Sequence, residues 1–571
     1  MREAGEQGSW PRSSAVAREP DGHSGRARAS RTGSVAAGGA FSGTHARLIL
    51  VGLLLAGALL LRLTGIEQPS IEQRETQSGL LARQWYLGAG ADLPPWKQRV
   101  LAEVRRSVRP IEPPILDYLS ALEFRISGEN FWFPRLLSSL CWVIGGVFLY
   151  RIAKRLMAPE GAVVALALYL AWPFGAWLSR HFMPDSLMIL WLLAAVLAVV
   201  RYFERPSGRR FAAAAAVSSV ATVIKPGVAF VYLVALFGAL AVAAGGRETV
   251  RRWGPMFVLF TGLTALPATV YYVVGTQVAD FIWFGADTGR LTPEKVLTGS
   301  FWNGWWDAVS YLLRYPQTQE FLALAPLVAG VAGVAVAGRG LPRAVLAGLS
   351  LGYLAFALTF ATYVSANPYY SLPLIPLLAL CIGTLASVVA DRLRRVTRGA
   401  AYALFACVAA IVGIAAYKGH AVMRVPIPTT AIADYRHIGE LTGHTTKAIV
   451  VDNELRTPAM YWGWIGAETW DLADDEPPRS IHPERADFLV VVGLWQLETS
   501  PGLRRFVRGL PIVGSTPRYA VYDLRRERPT RLERALRLRG RNAGTSRPLR
   551  RTEVFALPVR PQPATDDART T

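Results

Sequence analysis

Apolar runs of membrane-spanning length recur along this chain and limit its possible folds more than any other feature. The segments 48–61, 136–150 and 370–390 carry no charged residue. Nor do 161–178, 186–200, 211–224, 226–244, 256–274, 321–337, 344–363 and 400–417. Runs of this length and composition read as helices that cross a bilayer, so about eleven spans are expected. Over its 571 residues the chain is 52% hydrophobic and only 18% charged, with a mean hydropathy of +0.27. Soluble domains carry more charge.

The formal net charge of +21 could suggest nucleic acid. The arginines, however, gather in short clusters between apolar runs and in the two tails, and no nucleic-acid motif is present. That distribution fits cytoplasmic loops facing anionic lipid headgroups. With residue 1 placed in the cytoplasm, RIAKR (151–155), RYFERPSGRR (201–210), RETVRR (247–252), RGLPR (339–343) and DRLRRVTR (391–398) all fall inside. The opposite loops are far less basic, as the positive-inside rule requires. Cys141, Cys381 and Cys407 lie within apolar runs, without metal or disulfide spacing, so no thiol chemistry is expected.

The expected organisation is a disordered basic cytoplasmic tail (1–46), a transmembrane domain (47–417) with a large outer loop (64–135), a small outer α/β domain (418–526) and an arginine-rich disordered tail (527–571). In the α/β domain, a helix-like stretch (429–441) precedes strand-like KAIVV (447–451), DFLVVVGL (487–494) and YAVYDL (519–524).

Charges beside a membrane are costly and call for a reason. SIEQRETQSGLLAR (70–83) follows the first span. If helical, it sets Glu72 and Glu75 on one face, with Arg74 turned elsewhere and Arg83 two turns beyond Glu75. The competing reading is a solvated amphipathic helix on the membrane surface. RHFMPD (180–185) packs Arg180, His181 and Asp185 between two spans; Asp185 could serve chemistry or merely cap a helix. Lys225, in VIKPG, is either a snorkelling side chain or a phosphate ligand. Tyr369 and Tyr370, in ANPYYSLPLIP, are either interfacial belt residues or part of a site. EPPILDYLSALEF opens a further surface helix carrying Asp117, Tyr118 and Glu123. By topology these clusters share the outer face.

In this order, the acidic and basic helix after span one, EPPILDYLSAL with FWFPRLLSSL, RHFMPDSLMI, the outer K-P turn and PYYSLPLIPLLAL resemble the GT-C superfamily of membrane glycosyltransferases. The type resembled is family 39, which includes protein O-mannosyltransferases and the lipid A aminoarabinose transferase. TPAMYWGWIGAETW, within the outer α/β domain, is similar to the periplasmic tail of bacterial members. The resemblance implies an all-α polytopic GT-C fold in a bacterial inner membrane. It also implies transfer of a sugar from a polyprenyl-phosphate donor to a lipid, glycan or protein acceptor at the outer face. Glu75, Glu72 and Asp185 would then be the catalytic carboxylates. Arg74, Arg83, Arg180, His181, Lys225, Tyr369 and Tyr370 would bind substrate or phosphate. Alignment on Ala82-Arg83 puts Arg74-Glu75 where relatives keep an Asp-Glu pair, so Glu75 and Glu72 both stand as candidate base. No cofactor is expected, although Glu75 and Asp185 could hold a divalent metal. A transporter or flippase, or a polymerase of polyprenyl-linked glycans, is the alternative.

Overall fold

The computed structural model describes residues 38–88, 92–110, 112–278, 293–315, 323–470, 472 and 486–525. The expected C-terminal tail and most of the N-terminal one lie outside the described residues.

Each of the eleven apolar segments forms a helix. Among the described residues, eight helices are long and apolar enough to cross a membrane: α1 (Gly38–Leu63), α5 (Trp132–Leu156), α8 (Asp185–Glu204), α10 (Pro226–Gly245), α11 (Thr249–Val278), α14 (Leu341–Thr359), α16 (Leu374–Val396) and α17 (Arg398–Met423). α6 (Pro159–Ala171) and α13 (Leu324–Val336) are shorter apolar helices, and α9 (Gly208–Ile224) accounts for the remaining run. The chain is a multi-pass membrane protein. Two expected spans are broken. The run 344–363 is interrupted at Phe360, between α14 and a short helix at Ala361–Ala366. In 161–178, α6 stops before Pro173, which opens the short α7 (Pro173–Leu178), because proline supplies no N–H to continue the ladder. α1 begins at Gly38, inside the segment read as tail.

The bundle packs tightly where side chains are smallest. α6 crosses α16 at Gly161 and Gly383. A methyl group on Gly161 would sit 2.5 Å from the Gly383 carbonyl oxygen, and one on Gly383 2.6 Å from the Gly161 oxygen. Only hydrogen fits at both positions, the small-residue logic of helix pairs in lipid.

Between α1 and α5 the long connecting segment folds as α2 (Gln73–Leu87), α3 (Pro95–Ser107) and α4 (Ile115–Ser127). The C-terminal region opens with α18 (Thr429–Leu441) and contains α19 (Thr457–Gly463). Its five strands are β1 (Ala448–Val451), β2 (Ala467–Thr469), β3 (Phe488–Val492), β4 (Ile512–Ser515) and β5 (Tyr519–Asp523), in the order β2-β1-β3-β5-β4. β1 runs parallel to β2 and β3, while β5 is antiparallel to β3 and β4.

The loop helices and the α/β region share one core. Leu80, Val100, Val104 and Phe124 pack with Tyr435, Ile438, Val450 and Met460. Polar ties reinforce it: the Gln73 N–H donates to Glu454 at 2.8 Å, Trp462 Nε1 to the Ser70 carbonyl at 2.7 Å, and the Thr76 and Thr457 hydroxyls meet at 2.8 Å. The α/β region therefore clamps the start of α2, where the charged residues lie.

Gly383→Val should lower the thermal midpoint of the purified protein in detergent, overpacking costing about 1–3 kcal/mol. Gly262→Ala, in α11, meets nothing within 4 Å and should leave it unchanged. Equal midpoints for the two variants would contradict this packing.

Candidate active site

Charged side chains from four separate segments meet at one end of the bundle, around the first turns of α2. Its N-terminal residues project to two sides, because successive positions on a helix are about 100° apart.

On one side, Glu75 is 1% exposed and forms a two-point ion pair with Arg135, in the first turn of α5. Arg135 Nε donates to Oε1 at 2.9 Å and an Nη to Oε2 at 2.5 Å. Arg135 also donates to the carbonyls of Ile66 and Gln68, and the Phe182 N–H donates to Glu75 at 2.8 Å. Burial would raise the Glu75 carboxyl, but the charges of Arg135 and His181 hold it well below the usual carboxylate range. A carboxylate so engaged is a poor proton acceptor.

Glu72, the residue before α2, is freer. Its side chain keeps 33% exposure and contacts His181 Nε2 at 2.9 Å. The other ring nitrogen of His181 lies 2.9 Å from the Trp177 carbonyl. The Trp177 carbonyl and an ionised Glu72 both accept hydrogen bonds, so this arrangement favours the doubly protonated, imidazolium form of His181. Burial opposes this charge, but Glu72 and Glu75 raise the His181 pKa above its ordinary value. Arg180 is buried beside this group and donates to the Thr64 carbonyl. Among the described residues it touches no carboxylate, and its Nε has no partner. Burial and the nearby Arg135 push its pKa down to about 10.

On the other side of α2, Arg74 pairs with Glu112 at 3.1 Å, and Lys225 Nζ donates to Asp185 Oδ1 at 2.7 Å. Asp185 opens α8 but makes no side-chain capping bond; its carboxylate turns to Lys225 instead. Both residues of the Lys225 pair are buried, and Asp185 Oδ2 has no partner. The rings of Tyr369 and Tyr370 flank the ammonium at 5.4 and 5.2 Å. Lys225 is thus a buried partner of Asp185, and the two tyrosines line the cluster beside it.

Arg83 does not join these groups. It lies eight residues beyond Glu75, about 12 Å along the helix, bound to Glu129 at 2.8 Å and to the Tyr461 carbonyl. Sequence reasoning passed over Arg135, Glu112 and Asp117 as site members. An arginine in the first turn of an apolar span was a usable sign, since it needs an anion nearby. Asp117 faces Ser78 of α2; burial pushes its pKa up to about 7, and its Oδ1 is unpartnered.

Glu72, Glu75 and His181 offer ligand atoms within 4.8 Å of one another. This donor set fits a metal poorly, because His181 would have to lose a proton and Glu75 would have to leave Arg135.

The sign of the His181 shift fixes a pH dependence. A raised folded pKa means that the stability contributed by the imidazolium is complete below its unfolded value of about 6.5 and is lost as pH rises through the folded value. The thermal midpoint should fall as pH rises above about 6.5, and His181→Gln should flatten that component. An unchanged pH profile in the variant would contradict the assignment.

The fold and the sequence have known counterparts. Residues 111–272 match the profile of the dolichyl-phosphate-mannose-protein mannosyltransferase family. No curated protein sequence matches the chain. Among solved structures, ArnT from Cupriavidus metallidurans bound to undecaprenyl phosphate is 14% identical, with a TM-score of 0.52, over 84% of this chain and 98% of that one. The oligosaccharyltransferase AglB from Archaeoglobus fulgidus, in complex with an inhibitory peptide and a dolichol-phosphate, is 12% identical, with a TM-score of 0.51, over 80% of this chain and 70% of that one. With its polytopic bundle and its C-terminal α/β region, the chain shares the fold of these two solved structures, and its 111–272 segment is similar to the mannosyltransferase family profile.

Proposed function

We propose that this protein is a glycosyltransferase that moves a sugar from a polyprenyl-phosphate carrier to an acceptor hydroxyl at the outer face of a bacterial inner membrane. The observation that carries this reading is the meeting of Glu72, Glu75, Arg180, His181, Asp185 and Lys225 at one end of an apolar bundle. The basic loops at the opposite ends of the spans support a cytoplasmic N-terminus and an outer C-terminal region. The similarity to structures holding undecaprenyl or dolichol phosphate supports the class of donor. A transporter would instead place polar groups near the middle of its spans.

In the transfer step the acceptor oxygen attacks the anomeric carbon, and the bond from that carbon to the phosphate oxygen breaks. The acceptor proton passes to a carboxylate, and the negative charge stays on the departing polyprenyl phosphate. Glu72 suits the proton acceptor best, since it is part-exposed and held by His181, whereas Glu75 is tied to Arg135. Glu75 then serves as a positioning residue, fixing Arg135, the Phe182 backbone and the field around His181. Asp185 Oδ2 is free to accept a hydrogen bond from a sugar or acceptor hydroxyl. Arg180 is the leading phosphate ligand, because its buried charge touches no carboxylate; Lys225 and Arg74 add to the positive field. The apolar spans supply the groove for the lipid tail. No metal takes part.

Membranes of a strain lacking the protein should accumulate its lipid-linked donor, and transfer from that extract is the assay. Glu72→Gln should reduce the rate by about 10²–10⁴-fold, far more than the fraction of folded protein lost in a thermal melt of the variant, and EDTA should have no effect. Full activity in Glu72→Gln would refute the role given to this carboxylate, and loss of activity with EDTA would refute the metal-free step.

A further inference from the structure

A second concave site lies beside the charged cluster, between the loop helices and the α/β region. It encloses about 600 Å³, within the range of pockets that hold small ligands. Its walls are aromatic: Trp96, Trp132, Tyr461, Trp462 and Trp464 all line it. Such a concentration of tryptophan is not needed to seal a core, and Trp132 remains 37% exposed.

The rings are held in place by their surroundings. Trp96 stacks on His444 with centroids 3.9 Å apart and planes 14° apart. The Arg83 guanidinium lies 4.2 Å and the Lys97 ammonium 4.9 Å from the centre of the Trp464 ring. Both His444 (φ 52°) and Trp464 (φ 49°) adopt left-handed backbone conformations. Of the three non-glycine residues with positive φ among the described residues, two therefore line this one cavity. Bulky residues hold that conformation at a cost, and such strain gathers at binding sites.

The charges identify the ligand class. Arg83, Lys97 and Arg436 line the cavity together with Glu67, Glu129 and Glu440, three cations and three carboxylates, with Arg83 paired to Glu129. A balanced set gives no net field for a phosphate, an anionic lipid headgroup or a polyanion. It does supply donors and acceptors for hydroxyl groups, while flat aromatic faces receive the C–H faces of sugar rings. The cavity also adjoins the reacting groups. Arg83 shares α2 with Glu75, and Phe131, another wall residue, packs its ring 5.4 Å from the guanidinium of Arg135, the partner of Glu75.

We propose that this cavity binds a neutral oligosaccharide, with room for roughly two or three rings, and that the acceptor of the transfer reaction is accordingly a carbohydrate chain. The class of acceptor rests on the glycosyltransferase reading; the binding itself does not.

The test applies the full-length protein in detergent to a printed array of neutral oligosaccharides, charged oligosaccharides and peptides. Neutral glycans should bind. Their affinity should fall at least tenfold in Trp96→Ala and in Trp464→Gly, the second chosen because glycine accepts the left-handed backbone. Thermal midpoints of both variants identify any loss due to misfolding, and a folded variant that binds as tightly as the wild type overturns the proposal. So does an array on which only peptides or charged glycans bind. Glu72→Gln separates the two readings. A variant that still binds glycan but no longer transfers supports both. Wild-type protein that binds glycan but transfers nothing from the lipid-linked donor overturns the proposed function and leaves the binding site standing. Transfer to a non-carbohydrate acceptor, with no glycan bound, does the reverse.

Discussion

The buried ion pair between Glu75 and Arg135 is the interaction on which the rest of the site depends. It joins α2, which lies outside the membrane spans, to α5, which crosses them. Two charges removed from water repay their desolvation only when every remaining donor and acceptor is used. Here nearly all are: Arg135 also holds the carbonyls of Ile66 and Gln68, and Glu75 also receives the Phe182 N–H. Removing one partner from such a pair costs about 3–5 kcal/mol. That places the segment after α1, the start of α2, the start of α5 and the turn before α8 in one fixed geometry.

Around this anchor the remaining charges divide by how fully they are satisfied. Glu75, Arg135 and His181 have their hydrogen-bonding capacity committed within the protein and hold structure. Asp185 Oδ2, the Nε atoms of Arg74 and Arg180, and Asp117 Oδ1 are buried polar atoms without partners. Buried polar groups are rarely left so, and where they are, a ligand or solvent site is the usual reason. The unpartnered atoms fall in two neighbourhoods: Arg180 lies near Glu72, Glu75 and Arg135, whereas Arg74 and Asp117 lie near Glu112, with Asp185 close to Arg74. The α/β region contributes by fixing α2 from outside, through Glu454, Thr457 and Trp462. It also supplies most of the aromatic wall of the neighbouring cavity.

Much of the fold was legible in the sequence, because the apolar runs are uninterrupted and a helix is the economical way to carry them through lipid. The helix at 429–441 and the three buried strands were legible for the same reason, since their apolar patterns are strong. β2 and β4 were not: the first has three residues, one of them Glu468, and the second is an exposed edge strand. The break at Pro173 was written in the sequence as Trp-Pro within a span and was read through. The site was half legible. Glu72, Glu75, Arg180, His181, Asp185 and Lys225 were picked out by charge beside apolar runs, and they do converge. Their pairing was hidden, because it depends on contacts such as Glu75–Arg135 and Asp185–Lys225, far apart in the chain. Without the arginine in view, Glu75 read as a base equal to Glu72. Arg83 was grouped with them through the family resemblance and its place in the same segment, and two helical turns prove enough to give it different partners.

The central claim is that the charged cluster at the head of the bundle is where the lipid phosphate sits during transfer. A cryo-EM map of the protein in nanodiscs with added undecaprenyl phosphate tests it most directly. The account predicts phosphate density in contact with the Arg180 guanidinium, on the side of α2 that bears Glu72, with the lipid tail running down between the spans. Phosphate density at the basic loops near Arg201 or Arg394, at the other ends of α8 and α16, would contradict it.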